Sequence, residues 1–130
     1  MGTVPDELRF TPSHEWVRVE DDFAVVGITD YAQTLLGELV YVELPDVGDV
    51  IAQGEDCAVV ESVKAASDVY CPINGQIIEV NEELADQPEL VNDDPYGNGW
   101  LFKIQIDKLE QLEELLTSEE YQKQVAEEAH

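Results

Sequence analysis

Apolar side chains in the first third of the chain come in short runs, not at helical spacing. Trp16, Val17 and Val19 lead into an acidic turn at residues 20–22. A second run follows over 23–28, with Val25, Val26 and Ile28. β-branched and aromatic residues bounded by a turn predict two strands. Asp30, with Gln33 three residues on, then reads as the capping pair of a short helix through Tyr31, Ala32, Leu35 and Leu36, stopped by Gly37. Residues 39–44 predict another strand, which Pro45 ends.

From Gly48 onward the runs shorten. Residues 50–51, 57–60, 69–70 and 77–80 predict strands separated by Gly54, by 64–67 and by Asn74-Gly75. Short strands at this spacing indicate a sandwich or a flattened barrel. The acidic, proline-containing stretch 81–91 reads as a loop with one helical turn, and 100–106 as a last strand. The tail changes period: Leu109, Leu112, Leu115 and Leu116 form one apolar stripe at helical spacing, with Asp107 and Glu110 as its capping pair. Thr117 and Glu120 repeat that pattern before a final helix through Tyr121 and Val125. An amphipathic tail of this kind is expected to pack on its own domain.

Composition narrows the picture. The 130 residues are 44% hydrophobic, which excludes a disordered chain and predicts one domain, 1–130. Thirty acidic residues against six basic ones give a net charge of −24. Such a field repels phosphate, so neither nucleic acid nor an anionic membrane is an expected partner; basic protein surfaces are. The bland reading of the charge is solubility alone. Cys57 and Cys71 fit neither a disulfide framework nor a CxxC metal site, and His14 and His130 lie too far apart in pattern for zinc. Residues 1–6 lack the basic start and apolar run of a signal peptide, which makes the cytoplasm the expected location.

The usual marks of catalysis are missing. The chain has no GxGxxG, no phosphate loop and no GxSxG elbow, and its carboxylates are too abundant to single out a pair. The basic residues carry more information. Between Val19 and Phe102 the one positive charge is Lys64, set in Glu61-Ser62-Val63-Lys64-Ala65-Ala66-Ser67-Asp68 between two β-prone runs. On position alone this is an ordinary surface lysine. Its flanks argue otherwise: Gly48-Asp49-Val50 and Gly54 precede it, Pro72 and Gly75 follow, and Cys57 and Cys71 each stand seven residues away. A hairpin folded about Lys64 sets those cysteines nearly opposite as small buried hydrophobes.

The stretch 48–81 resembles the biotinyl/lipoyl domains. Val63 and Ala65 occupy the places where biotin acceptors carry methionine, so the similarity is to lipoyl attachment. It extends through His14-Glu15-Trp16, Val26-Gly27-Ile28-Thr29-Asp30, 37–45, 88–92, Pro95-Tyr96 and Gly99-Trp100. Over nearly its whole length the chain is similar to the H proteins of the glycine cleavage system.

That resemblance implies a mainly β fold: a flattened barrel-sandwich hybrid of two antiparallel sheets with a lysine-bearing hairpin, a lipoyl-like core over about 23–106 and C-terminal helices over about 107–126. It implies lipoic acid in amide linkage to Lys64, flanked by Glu61, Ser62, Val63, Ala65 and Gly75, with no catalytic or metal-binding residue. The arm then carries an aminomethyl group from the pyridoxal-phosphate glycine decarboxylase to the tetrahydrofolate-dependent aminomethyltransferase. Dihydrolipoamide dehydrogenase reoxidises it, and a lipoylating enzyme installs it. Glu15 and Asp68, with Ser13, are the residues expected to hold the loaded arm in a cleft; the bland reading makes both carboxylates solvated. Leu35 and Leu36 stand where some relatives have histidine. A lipoyl relay or donor role in lipoate assembly is the alternative. The location implied is a bacterial cytoplasm, or the mitochondrial matrix for a processed form.

Overall fold

A computed structural model describes residues 8–128, so the expectations about residues 1–6 and His130 fall outside the described residues. Strands β1 (Arg9–Phe10), β2 (Glu15–Glu20) and β3 (Phe23–Ile28) run antiparallel. The β2–β3 hairpin closes through a two-residue turn between Glu20 and Phe23. Asp21 takes φ +54° there, a left-handed conformation that aspartate tolerates and tight hairpins require.

Helix α1 (Asp30–Leu36) follows, then β4 (Leu39–Glu43), β5 (Val50–Ile51), β6 (Asp56–Ser62), β7 (Ala66–Tyr70) and β8 (Gly75–Val80). Two one-turn helices, α2 (Glu83–Asp86) and α3 (Leu90–Asp93), precede β9 (Phe102–Ile106), and α4 (Glu110–Glu113) and α5 (Ser118–Glu128) complete the described chain. The strands form two antiparallel sheets, a six-stranded one in the order β1-β2-β3-β9-β8-β5 and a three-stranded one in the order β4-β6-β7. No ladder joins them into a closed barrel among the described residues. β1 and β2 extend the larger sheet beyond the expected 23–106 core.

Period-two alternation decides what each face buries. Val17, Ala24 and Val26 face a core shared with Val42, Val60 and Val69 of the smaller sheet and with Ile77, Phe102 and Ile104. Trp16 and Val25 point the other way and join Phe10, Tyr121 and Val125 in a second cluster. Helix α5 therefore packs on its own domain, covering the far side of the larger sheet.

Four details depart from the pattern-based reading. Thr29, not Asp30, caps α1: its hydroxyl accepts from Ala32 N at 3.2 Å, whereas Asp30 sits in the first turn and accepts from Gln33 Nε2 at 2.7 Å. The strands around Lys64 and the start of β8 run longer than their apolar cores, because ladder bonding continues through polar outward positions. Stretch 81–91 makes two short helices instead of one. They are tied down by Asn81, whose side chain donates to Asn98 O and Trp100 O, and by Asn92, which accepts from Leu39 N.

The leucine stripe of the tail forms only the single turn α4, and Asp107 makes no cap. Leu116 is diverted into a bridge with Phe10, with backbone bonds of 2.9 and 2.7 Å, which breaks the helical period. The Thr117–Glu120 capping box forms as its spacing predicts, with bonds of 2.9 and 3.2 Å.

Candidate functional site: a lysine hairpin and a buried carboxylate

The β6–β7 hairpin narrows from the Val59↔Asp68 pair to Glu61↔Ala66, leaving Ser62, Val63, Lys64 and Ala65 to turn the chain. Ser62 builds that turn. Its N–H donates to Ala65 O at 2.7 Å, and its buried hydroxyl receives the amides of Lys64 at 3.3 Å and Ala65 at 3.1 Å. Side-chain capping of this kind fixes a short loop without glycine. Val63 is 86% exposed and Ala65 is exposed, so neither obstructs approach.

Lys64 itself is exposed, and its Nζ makes no hydrogen bond or ion pair with a described residue. Its stem passes the end of α1: a Cβ on Gly37, which ends that helix at φ +86°, would lie 3.5 Å from Lys64 Cε. Glu61 is half-buried in the ladder between Ala66 and Tyr41. Gly75 belongs elsewhere. It opens β8 in the larger sheet, where a Cβ would lie 2.1 Å from Gln105 O, so it serves strand approach and not the hairpin tip.

Glu15 begins β2 and is 1% exposed. One carboxylate oxygen accepts from the Thr11 hydroxyl in a short hydrogen bond and from the Ser13 hydroxyl at 2.5 Å; the other accepts from Tyr70 N at 3.2 Å. Burial raises its pKa above the ordinary carboxylate value, and these donors together with nearby His14 oppose the rise. No cation faces it among the described salt bridges. A recess of about 230 Å³ opens here, lined by Thr11, Ser13, Glu15, Tyr70, Cys71 and Leu115.

Because Tyr70 ends β7 and Lys64 precedes its start, strand β7 connects the lysine to this recess. From Ala66 to Tyr70 it spans about 13 Å at a strand rise of about 3.3 Å per residue. Asp68 lies on that strand, exposed, with no side-chain bond among the described residues, and does not line the recess. The structure thus brings Glu15 and Ser13 together and leaves Asp68 on the route between. Thr11 and the Tyr70 amide were not singled out from sequence. A hydroxyl two and four residues before a glutamate is a visible signal, but the amide comes from the other sheet and leaves none.

Cys57 sits at the register irregularity between Asp56↔Tyr70 and Ala58↔Val69, half-buried, and Cys71 is buried beyond it; both are free thiols. The neighbouring Cys71 and burial push the Cys57 thiol up, while the bond to Cys57 draws the Cys71 thiol down.

The family model described as glycine cleavage H-protein matches residues 8–128. The chain belongs to that family. It is 57% identical over 125 residues to the glycine cleavage system H protein of Alcanivorax borkumensis, covering 96% of this chain and 98% of that one. It is 58% identical over 123 residues to the one of Psychrobacter sp., covering 94% and 98%. The crystal structure of a glycine cleavage system H protein from Mycobacterium marinum superposes with a TM-score of 0.88 at 41% identity, covering 95% of this chain and 99% of that one. H-protein family membership fits a fold whose one unpaired central lysine stands at a hairpin tip.

Proposed function

We infer that this chain is the lipoyl carrier of a glycine cleavage system, with Lys64 Nζ as the attachment point. The observation that carries this reading is a pinned, unobstructed turn presenting Lys64, the one positive charge between Val19 and Phe102, with a carboxylate-floored recess one strand length away. Lys64 would hold the lipoyl group, which would supply a dithiolane able to accept an aminomethyl group from glycine decarboxylase for transfer at aminomethyltransferase, the dithiol left behind being the form that dihydrolipoamide dehydrogenase would reoxidise. The chemistry thus belongs to partners and cofactors, and this chain acts as a carrier and not as a catalyst.

The residues of the chain have simpler tasks. Ser62 holds the turn so that Lys64 Nζ projects toward a lipoylating enzyme. Tethering keeps the cargo at high local concentration for each partner. Glu15, oriented by Thr11, Ser13 and the Tyr70 amide, offers a buried negative charge to a cationic amine laid back along β7. Such a pair would give the carboxylate the cation it lacks. Asp68 offers a second, exposed charge on the way. The cytoplasm is the proposed location; among the described residues no helix is long and apolar enough to cross a membrane.

The test is peptide mass spectrometry of protein from lipoate-supplied cells, beside Lys64→Arg. A lipoyl increment on the Lys64 peptide, absent from the variant, supports attachment there. An unmodified peptide despite an active lipoylating enzyme refutes it. For the recess, Glu15→Gln and Asp68→Ala should shorten the lifetime of the aminomethyl load, Glu15→Gln the more strongly; an unchanged lifetime removes the role from the residue concerned.

A further inference from the structure

Two of the three donors to Glu15 come from the loop between β1 and β2, so whatever shapes that loop shapes the recess. His14 ends it in a left-handed conformation, φ +74°. Such a conformation is uncommon outside glycine and is kept where the surroundings enforce it. Here they do. His14 Nδ1 lies 2.8 Å from Tyr121 Oη and Nε2 lies 3.0 Å from Glu128 Oε1, both on helix α5. The ring also packs against Tyr31 and Tyr121, with centroids 5.1 and 5.7 Å apart.

The hydrogen-bond directions follow from the acceptor-only end. A carboxylate on Glu128 requires Nε2–H to donate, which in the neutral ring leaves Nδ1 to accept from the Tyr121 hydroxyl. Tyr121 Oη, fully buried, then accepts from Thr29 Oγ1 at 2.6 Å, and Thr29 Oγ1 receives the Ala32 amide as the cap of α1. Two further bonds grip the same loop: Gln124 Nε2 donates to Pro12 O at 2.8 Å, and Thr29 N donates to His14 O at 3.0 Å. The loop that aims Ser13 and Thr11 at Glu15 is therefore fastened to α5 on one side and to the start of α1 on the other.

We propose that His14 is a positioning residue for the Glu15 recess, its Nδ1 bond to Tyr121 locking the loop so that both hydroxyls meet the carboxylate. The proposal rests on the reading of Glu15 as the carboxylate that receives the amine. Two demands fall on position 14: tolerance of left-handed φ, and an acceptor where Nδ1 stands. Glycine meets only the first. Asparagine meets both, since it tolerates that region and its Oδ1 sits at the place of Nδ1.

The experiment compares His14→Gly with His14→Asn. In unlipoylated protein, hydrogen exchange at the Tyr70 amide reports the bond to Glu15, and the Leu101 amide, bonded to Val26 O at 2.8 Å, serves as a reference for global opening. His14→Gly should speed Tyr70 exchange relative to Leu101 about tenfold, as loss of a bond to a charged group predicts, and His14→Asn by less than about threefold. In the lipoylated protein, charged by glycine decarboxylase, the lifetime of the aminomethyl load should shorten in the same order.

A glycine variant matching the parent in either readout overturns the proposal, since backbone freedom alone would then suffice. An asparagine variant as impaired as the glycine one also overturns it, because the Nδ1 bond would not be what matters. Glu15→Gln, run in parallel, separates the two levels. If it leaves the lifetime unchanged, the carboxylate reading itself has failed. If it shortens the lifetime while His14→Gly does not, only the role of His14 has.

Discussion

The hairpin tip and the Glu15 recess stand at opposite ends of β7, and they differ in nearly every physical respect. The tip is exposed, small-residue and held by one serine, and its lysine touches almost nothing. The recess buries a carboxylate under three donors, two from the β1–β2 loop and one from the smaller sheet. A group that must be reached by several enzymes cannot be buried, and a charge that must hold a cation against water cannot be fully exposed. The first need can be met by local turn chemistry; the second needs parts from distant stretches of chain.

That contrast can be broken experimentally, most strongly at Lys64. Lys64→Arg should abolish lipoylation entirely while changing stability by less than about 0.5 kcal/mol, as for exposed positions generally. Mass spectrometry and urea denaturation on the same samples check both halves. Thr11→Val should do the reverse: lipoylation is retained, and stability at neutral pH falls by about 2 kcal/mol, because a buried carboxylate loses a donor. Equilibrium unfolding measures it, and a loss no larger than that of Lys64→Arg would erase the distinction.

Ser62→Ala should lie between the two. Its loss of the turn bonds costs about 1 kcal/mol and slows modification by the lipoylating enzyme in a timed assay, since Lys64 is no longer held outward. The smallest effect concerns pH. Burial raises the pKa of Glu15 above 4.5, so the native chain binds that proton more tightly than the unfolded chain. The resulting stability is present below the unfolded value and is lost as pH rises through the folded one. Glutamine does not titrate. Stability of the parent relative to Glu15→Gln should therefore decline from about pH 4.5 upward, in paired denaturant titrations. A flat difference would mean that Glu15 is solvated like its many exposed neighbours.

Much of this was legible in the chain. The β2–β3 hairpin followed from β-branched runs around an acidic turn, and the Thr117–Glu120 box from spacing alone. Lys64 stood out because it is the one positive charge between Val19 and Phe102. The cap of α1 is Thr29 and not the Asp30 that the spacing favours, since both are good caps and only backbone direction chooses between them. The helical period of the leucine stripe at 109–116 predicts one helix. The bridge between Leu116 and Phe10, a contact with the far end of the chain, stops it after one turn.

What the sequence determined by itself is local: strand propensity, turn chemistry, the capping box and the isolation of one lysine. Each depends on residues within a few positions of one another, where backbone sterics and short-range hydrogen bonds act. Only the tertiary structure decided that Glu15 is the buried acidic residue among the described ones. Its partners come from separate stretches of chain: two hydroxyls from the loop before β2 and the Tyr70 amide from the smaller sheet. Desolvation is a property of everything packed around a group, and no neighbour in sequence can announce it.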